Sequence, residues 1–286
     1  MEKHNKPPIF IVGLLRSGTT LLRAMLGQHS SIASGLETKW FELNWEKINE
    51  EKTIDQIERL RLFFELDKET VAKIVRESHS RLEFLEKFLS AYAARCGKPR
   101  WAEKTPASIL HLDEIYSYWP NAKTIHIIRD PRDVYASMKI SNRYGGVAGF
   151  AAMWCDFLES GENAKKRLNL SSDKYMEIRY ENLVTHPEQT MKKVLKFVDE
   201  PWEPTVAKFE GKKDDYEKVL SITGHSSTTL KQLENPLNTS RIENWKKVVT
   251  QEEIVEIKKE ISKRGLLELY ERITTETETI KANAKL

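Results

Sequence analysis

The stretch PIFIVGLLRSGTTLLRAML, residues 8–26, decides the fold. Residues 9–12 form a short, continuous apolar run behind Pro7 and Pro8, the pattern of a buried strand. Gly13 and Gly18 follow at the spacing of a phosphate-binding loop, with Thr19 and Thr20 behind them. Leu21, Leu22, Met25 and Leu26 then recur at helical spacing. In a strand–loop–helix unit of this kind the glycines let the backbone turn tightly and approach an anion. Amide N–H groups and the helix N-terminus then point at it. An ordinary strand-to-helix turn can carry the same glycine pair; the dense run Arg16-Ser17-Gly18-Thr19-Thr20 is what favours the anion site. Nucleoside-triphosphate loops have a Lys where this chain has Thr19, and that Lys normally neutralises the outer phosphates beside magnesium. Its absence predicts a ligand with fewer phosphates and no essential metal, with Arg16 as the replacement charge.

Outward from this unit, residues 124–128 read as a second buried strand, followed at once by RDPRDVYASM, residues 129–138. Residues 31–34 and 175–178 read as further strands, and residues 99–103 as a strand edge. Helices are predicted over 107–119, 147–168, 186–198 and 251–263. From 40 to 94 the chain reads as almost wholly helical, with Leu82, Leu85, Phe88 and Leu89 on one face. Strands alternating with helices imply a parallel sheet covered on both faces. The expected architecture is one α/β domain over residues 1–286: a P-loop-type, three-layer fold around a central parallel sheet, with a helical insertion at 40–95. Residues 274–286 lack an apolar period and are expected to be a flexible tail.

Composition narrows the function. Of 286 residues, 40% are hydrophobic and 31% charged, as in globular chains. The 46 basic and 43 acidic residues leave a net charge of +3, too balanced for broad nucleic-acid binding, which needs a strongly basic face. A local basic pocket for an anion remains open. The two cysteines, Cys96 and Cys155, have no metal-ligand spacing, and a chain of this length needs no bridge; a reducing, cytoplasmic setting is expected. The N-terminus has no apolar run of the length a signal peptide or membrane anchor requires, and no transmembrane segment is expected.

Two segments carry a family resemblance. PIFIVGLLRSGTTLLRAML resembles the 5'-phosphosulfate-binding loop of the sulfotransferases that use 3'-phosphoadenosine-5'-phosphosulfate (PAPS). IIRDPRDVYASM, residues 127–138, resembles their 3'-phosphate-binding strand and helix, and the two occur in the family's order. RSGTTLLRAMLGQHSSIASGLET, residues 16–38, is most similar to the protein-tyrosine sulfotransferases and related bacterial enzymes. The resemblance covers roughly residues 8–39 and 101–139 and weakens around IRYENLVTHPE, residues 178–188.

The resemblance implies transfer of a sulfuryl group from PAPS to a hydroxyl, with an amine as the further option. It implies release of 3'-phosphoadenosine-5'-phosphate (PAP), and no metal. It assigns Arg16, Ser17, Gly18, Thr19 and Thr20 to the phosphosulfate, and Arg129 with Ser137 to the 3'-phosphate. An Arg after a buried strand can fork two hydrogen bonds onto a phosphate; the competing assignment for Arg129 is an ion pair with Asp130 or Asp133. Glu37 matches the family's base, which removes the acceptor's proton; its alternative is a surface pair with Lys39. Other members use His, for which His29, His111 and His126 are the nearest candidates. Lys104, in WAEKTP (101–106), matches a lysine at the bridging oxygen, where charge builds as the S–O bond breaks. Arg16 shares that task, and the alternative for Lys104 is a solvated loop lysine. Tyr180, Glu181 and Leu183 match structural residues. In SRIENWKK (240–247), Arg241 and Trp245 match residues that close over the cofactor, although the family's glycines are missing and packing is favoured for the Trp.

The acceptor stays open at this point among a small molecule, a sugar, a lipid and a tyrosyl peptide. The insertion and the loop at 142–149 are expected to shape its pocket, and oligomeric state is not legible. The rival readings are a P-loop nucleotide kinase or other phosphotransferase, and a non-catalytic adenosine-phosphate-binding protein.

Overall fold

In a computed structural model, residues 6–42, 51–142 and 145–284 are described. β1 (Ile9–Gly13) is buried at every position. It lies between two parallel neighbours and is buried on both faces of the sheet, so its sequence shows no alternation. α1 (Thr19–Leu26) follows, then β2 (Ile32–Ser34). Next come α2 (Glu51–Phe64), α3 (Lys68–Glu77) and α4 (Arg81–Arg95), the predicted helical insertion. Residues 43–50 of that insertion lie outside the described residues. Asp67 and Ser80 cap α3 and α4 by accepting from the backbone N–H groups of Thr70 and Glu83. α4 packs on β2 and β3. Trp40 is fully buried and stacks on Phe84 of α4 with ring centres 4.4 Å apart.

β3 (Arg100–Lys104) leads through α5 (Leu112–Tyr118) to β4 (Lys123–Ile128) and α6 (Pro131–Ile140). α7 (Gly146–Arg167), β5 (Tyr175–Arg179), α8 (Tyr180–Thr185) and α9 (Pro187–Phe197) complete the sheet and its cover. α10 (Asp214–Thr223), α11 (Thr228–Gln232), α12 (Gln251–Ser262) and α13 (Leu267–Asn283) follow. The sheet order is β2-β3-β1-β4-β5, with every pairing parallel. In register, Ile11 sits opposite Lys104 on β3 and Ile125 on β4. The core strands are Ile-rich, and each fully buried large apolar side chain contributes about 1.5–3 kcal/mol. From β1 the chain runs outward one way to β2 and later the other way to β4. Such a switch point opens a crevice at the carboxyl ends of the strands.

Two expectations need correction. Residues 99–103 are not at an edge: β3 is internal, between β2 and β1. The stretch expected to be a flexible tail is instead helical as far as Asn283, in α13. Its inner face is Tyr270, Ile273, Thr274 and Thr277, so threonines stand where an apolar period would. Arg179 ties it down by donating to the Thr277 hydroxyl (2.7 Å) and the Ile273 carbonyl (3.0 Å). Residues 285 and 286 lie outside the described residues, as do 143 and 144 of the loop expected to shape the acceptor pocket.

Candidate active site

The loop between β1 and α1 depends on two glycines. At Gly13 (φ 143°) a Cβ would lie 2.5 Å from the Ile127 carbonyl oxygen, and at Gly18 (φ 100°) 2.4 Å from the Tyr180 ring. Neither can carry a side chain without displacing the β4 backbone or the Tyr180 ring. Arg16 also has a positive φ, 70°, which turns the loop and lifts its side chain out. Gly18 precedes α1 without a side-chain cap, so the first-turn N–H groups are left for a ligand.

A cavity of about 320 Å³ opens above this loop. Arg16, Gly18, Thr19 and Thr20 line it, with Arg129, Asp133 and Ser137 from the end of β4 and α6, and Arg241 from the opposite wall. Arg129 does not pair with either neighbouring aspartate. Its guanidinium donates to the Arg16 carbonyl (2.9 Å) and the Arg241 carbonyl (2.7 Å), and lies 4.4 Å from the centre of the Tyr180 ring. Its Nε is buried without a protein partner. Asp130 is held by Arg132 (2.7 Å), and Asp133 accepts from the backbone N–H groups of Glu243 (2.8 Å) and Trp245 (2.9 Å). Burial pushes the Asp133 carboxyl up to about 6; Arg129 opposes the shift and Asp130 adds to it. Ser137 accepts from Arg16 Nε (2.8 Å), and Arg16 also donates to Thr229 of α11. Trp245 does not line this cavity: the Arg132 guanidinium sits 4.4 Å from its ring centre, a packing role. Ser17 is buried and lines neither this cavity nor the next.

The second cavity, of about 760 Å³, shares Arg16, Thr19, Thr20 and Thr229 with the first. Glu37 and Lys104 meet on its wall in an ion pair. Lys104 ends the internal strand β3 and its side chain is 3% exposed, so it is no solvated loop lysine; the Glu37 side chain is 33% exposed and pairs with Lys104, not Lys39. Lys104 Nζ also donates to Thr20 Oγ1 (3.2 Å), which ties the pair to the glycine loop. Burial pushes the Glu37 carboxyl up, but the Lys104 charge and hydrogen bond outweigh it and hold the group below its ordinary value. Burial lowers the Lys104 ammonium, with Arg23 adding to the fall and Glu37 opposing it. From α2, Arg59 Nη2 (2.8 Å) and Gln56 Nε2 (2.9 Å) both donate to the Thr38 carbonyl, fixing the backbone beside Glu37.

The three candidate histidines line neither cavity. His29 and His126 are buried, and His111 stacks on Phe41. His225, which no motif marks, lines the second cavity, as do Arg23 and Ser227. Arg23 falls four residues after Thr19, a spacing that places both on the same face of α1. Tyr180, Glu181 and Leu183 are buried, but Tyr180 also floors the first cavity.

The model of the sulfotransferase family matches residues 7–204. The chain belongs to the sulfotransferase family. It is 31% identical over 252 residues to a protein-tyrosine sulfotransferase of Drosophila melanogaster, covering 84% of this chain and 47% of that protein. Protein-tyrosine sulfotransferase 1 of Danio rerio is 28% identical over 257 residues, covering 84% and 65%. The chain thus spans between about half and two thirds of these relatives' lengths. Among solved structures, the sulfotransferase domain from the Synechococcus PCC 7002 olefin synthase superposes with a TM-score of 0.62 at 18% identity, covering 90% of this chain and 95% of that one. The sulfotransferase domain from the curacin biosynthetic pathway gives 0.62 at 20% identity, with 89% and 96% covered. The fold is accordingly the P-loop-type α/β fold of sulfotransferases, with a central parallel five-stranded sheet. Among the described residues no helix is long and apolar enough to cross a membrane.

Proposed function

We propose that this chain transfers the sulfuryl group of PAPS to a hydroxyl acceptor. The observation that carries the reading is the shared wall: two cavities meet at Arg16, Thr19 and Thr20, with the Glu37–Lys104 pair beside the junction. The first cavity suits a nucleotide with a 5'-phosphosulfate and a 3'-phosphate. The uncapped first turn of α1 supplies N–H groups, Arg16, Arg129 and Arg241 supply charge, and Arg129 Nε is a buried donor still without a partner. Arg129 and Ser137 would hold the 3'-phosphate, and the Ser17–Thr20 segment the 5' end.

PAPS supplies an activated sulfuryl group whose sulfur leaves one oxygen for another. The chain's part is positional and electrostatic. Glu37 takes the acceptor's proton as the new O–S bond forms. Lys104 and Arg16 stabilise the negative charge that collects on the phosphate oxygen as the old S–O bond breaks. Among described residues the second cavity carries Arg16, Arg23, Lys39, Lys52, Arg59 and Lys104 against Glu37 and Glu42, which favours an acceptor with its own negative charge. The reading extends to a reducing, cytoplasmic setting, supported by the two free cysteines. The test is transfer from labelled PAPS to matched acidic and neutral hydroxyl acceptors in excess EDTA. Activity dependent on added magnesium, with label-free phosphate transfer from ATP, would favour the kinase instead.

Binding can be checked apart from turnover. PAP should raise the melting temperature in proportion to the logarithm of its concentration, and ATP far less. Equal stabilisation by ATP, or none by PAP, counts against a 3'-phosphate site.

The pH profile follows from the pair. Glu37 must be ionised and its group is held below its ordinary 4.5, so the acid limb of kcat/KM should lie below that value. Lys104 must be charged and is lowered from 10.5, so activity should fall before pH 10.5 is reached. An acid limb near pH 6 would instead count against Glu37 as the base and point first to Asp133, whose carboxyl in the first cavity is pushed up to about 6.

A further inference from the structure

Under the Glu37–Lys104 pair lies a carboxylate that lines neither cavity. Glu103 is 1% exposed. Side chains alternate along a strand, so Glu103 points away from the face on which Lys104 meets Glu37. Glu103 Oε1 accepts from Thr38 Oγ1 (2.7 Å) and Thr105 Oγ1 (2.6 Å), and its Oε2 accepts from Ser108 Oγ (3.2 Å). Thr38 is the residue after Glu37, and Thr105 the residue after Lys104.

An ionised carboxylate can only accept, so the threonine and serine hydroxyls donate to Glu103. Thr105 Oγ1 accepts from the Lys39 backbone N–H (3.0 Å), and Thr38 Oγ1 from the Trp40 backbone N–H (3.3 Å). Each hydroxyl has a single proton, and both protons are directed at Glu103 Oε1. One buried carboxylate oxygen therefore anchors two threonines, and through them the backbone that carries Glu37 is tied to the strand that carries Lys104. Burial raises the Glu103 carboxyl above its usual range, with the hydroxyl donors and Lys104 opposing. A bare carboxylate here would be costly, which is why three hydroxyls surround it.

We propose that Glu103 is a positioning residue for sulfuryl transfer: through Thr38 and Thr105 it sets the separation of the Glu37 carboxylate from the Lys104 ammonium. The inference rests on Glu37 and Lys104 being the reacting pair. Misplacing a reacting group by about 1 Å can cost on the order of 10²-fold in rate without touching ground-state binding.

The test compares Glu103→Ala with Glu103→Gln in the full chain, reading kcat, KM for PAPS and the thermal shift given by PAP. The Gln amide oxygen still accepts both threonine protons and its NH2 can donate to Ser108, so geometry survives without charge. Glu103→Ala should lower kcat by about 10-fold or more, with KM for PAPS and the PAP shift nearly unchanged, and Glu103→Gln should restore kcat to within about threefold. Wild-type kcat in Glu103→Ala overturns the proposal. So does an equal loss in Glu103→Gln, which would make charge the cause. So does a rise in KM for PAPS as large as the fall in kcat. If Glu103→Ala does not fold, Thr105→Val and Thr105→Ser decide: the valine should lose kcat alone and the serine recover it, and a fully active valine variant overturns the idea. Glu37→Gln and Lys104→Ala run alongside. If they leave kcat intact, the reading of the pair has failed; if they lower it and the Glu103 variants do not, only the positioning role has failed.

Discussion

Replacing Glu37 with Gln should lower kcat by on the order of 10²-fold or more and leave the affinity for PAPS nearly unchanged, as removal of a general base does. Glutamine is the informative change. Alanine would strip Lys104, 3% exposed, of the hydrogen-bond acceptor as well as the counter-charge, at a further cost on the order of 1–3 kcal/mol that could be mistaken for lost catalysis. Gln keeps a hydrogen-bond acceptor for Lys104 but cannot take a proton. It also removes the group that raises the Lys104 ammonium, so the alkaline limb of the variant's residual rate should move to lower pH. Steady-state rates against PAPS and acceptor, with calorimetric PAP binding, check all three. A Glu37→Gln variant that turns over at the wild-type rate removes the glutamate from the mechanism and makes His225 the next residue to replace.

The second large effect is on binding. Arg129→Ala should raise KM for PAPS and the dissociation constant of PAP by about 10- to 100-fold, the range a charge-assisted contact of about 1.5–3 kcal/mol supplies, while kcat at saturation changes little. The same side chain joins the Arg16 and Arg241 carbonyls, so its loss also frees the wall opposite the glycine loop. Arg129→Lys should recover only part of the affinity, because an ammonium cannot reproduce the planar fork. Normal PAP binding by the alanine variant would mean that the 3'-phosphate sits elsewhere.

What the sequence revealed of this site, and what it withheld, divides along chain distance. The glycine loop was legible because its spacing and its positive φ at Gly13 and Gly18 lie within one strand–loop–helix unit, although the Ile127 carbonyl and Tyr180 ring that forbid a Cβ there come from far along the chain. Arg129 and Ser137 were singled out through the family resemblance, which falls on one strand–helix junction, and both line the first cavity. The state of Lys104 was not legible, because its burial comes from strand order, and a strand cannot announce from its own residues that it will be internal. Nor were the contacts Arg59 makes from α2, or Thr229 from α11, since both come from segments with no motif. The C-terminal helix was missed for a different reason: Thr274 and Thr277 occupy its inner face, and a search for apolar periodicity passes over a buried threonine whose hydroxyl has a partner.

The five described strands are complete by Arg179, yet the cavity proposed for the nucleotide takes much of its wall from residues 209–244. Closing that wall requires contacts across long chain separations: Arg16 to Thr229 spans 213 positions and Arg129 to Arg241 spans 112. Synthesis runs from the N-terminus, so residues 209–244 are added only after the last described strand, β5, is made. A growing chain can therefore own a finished sheet, a formed glycine loop and a paired Glu37 and Lys104 before it owns the whole wall of the first cavity. Competence to bind then waits on residues that belong to no strand, and an opening confined to 209–244 would remove it while the sheet persists.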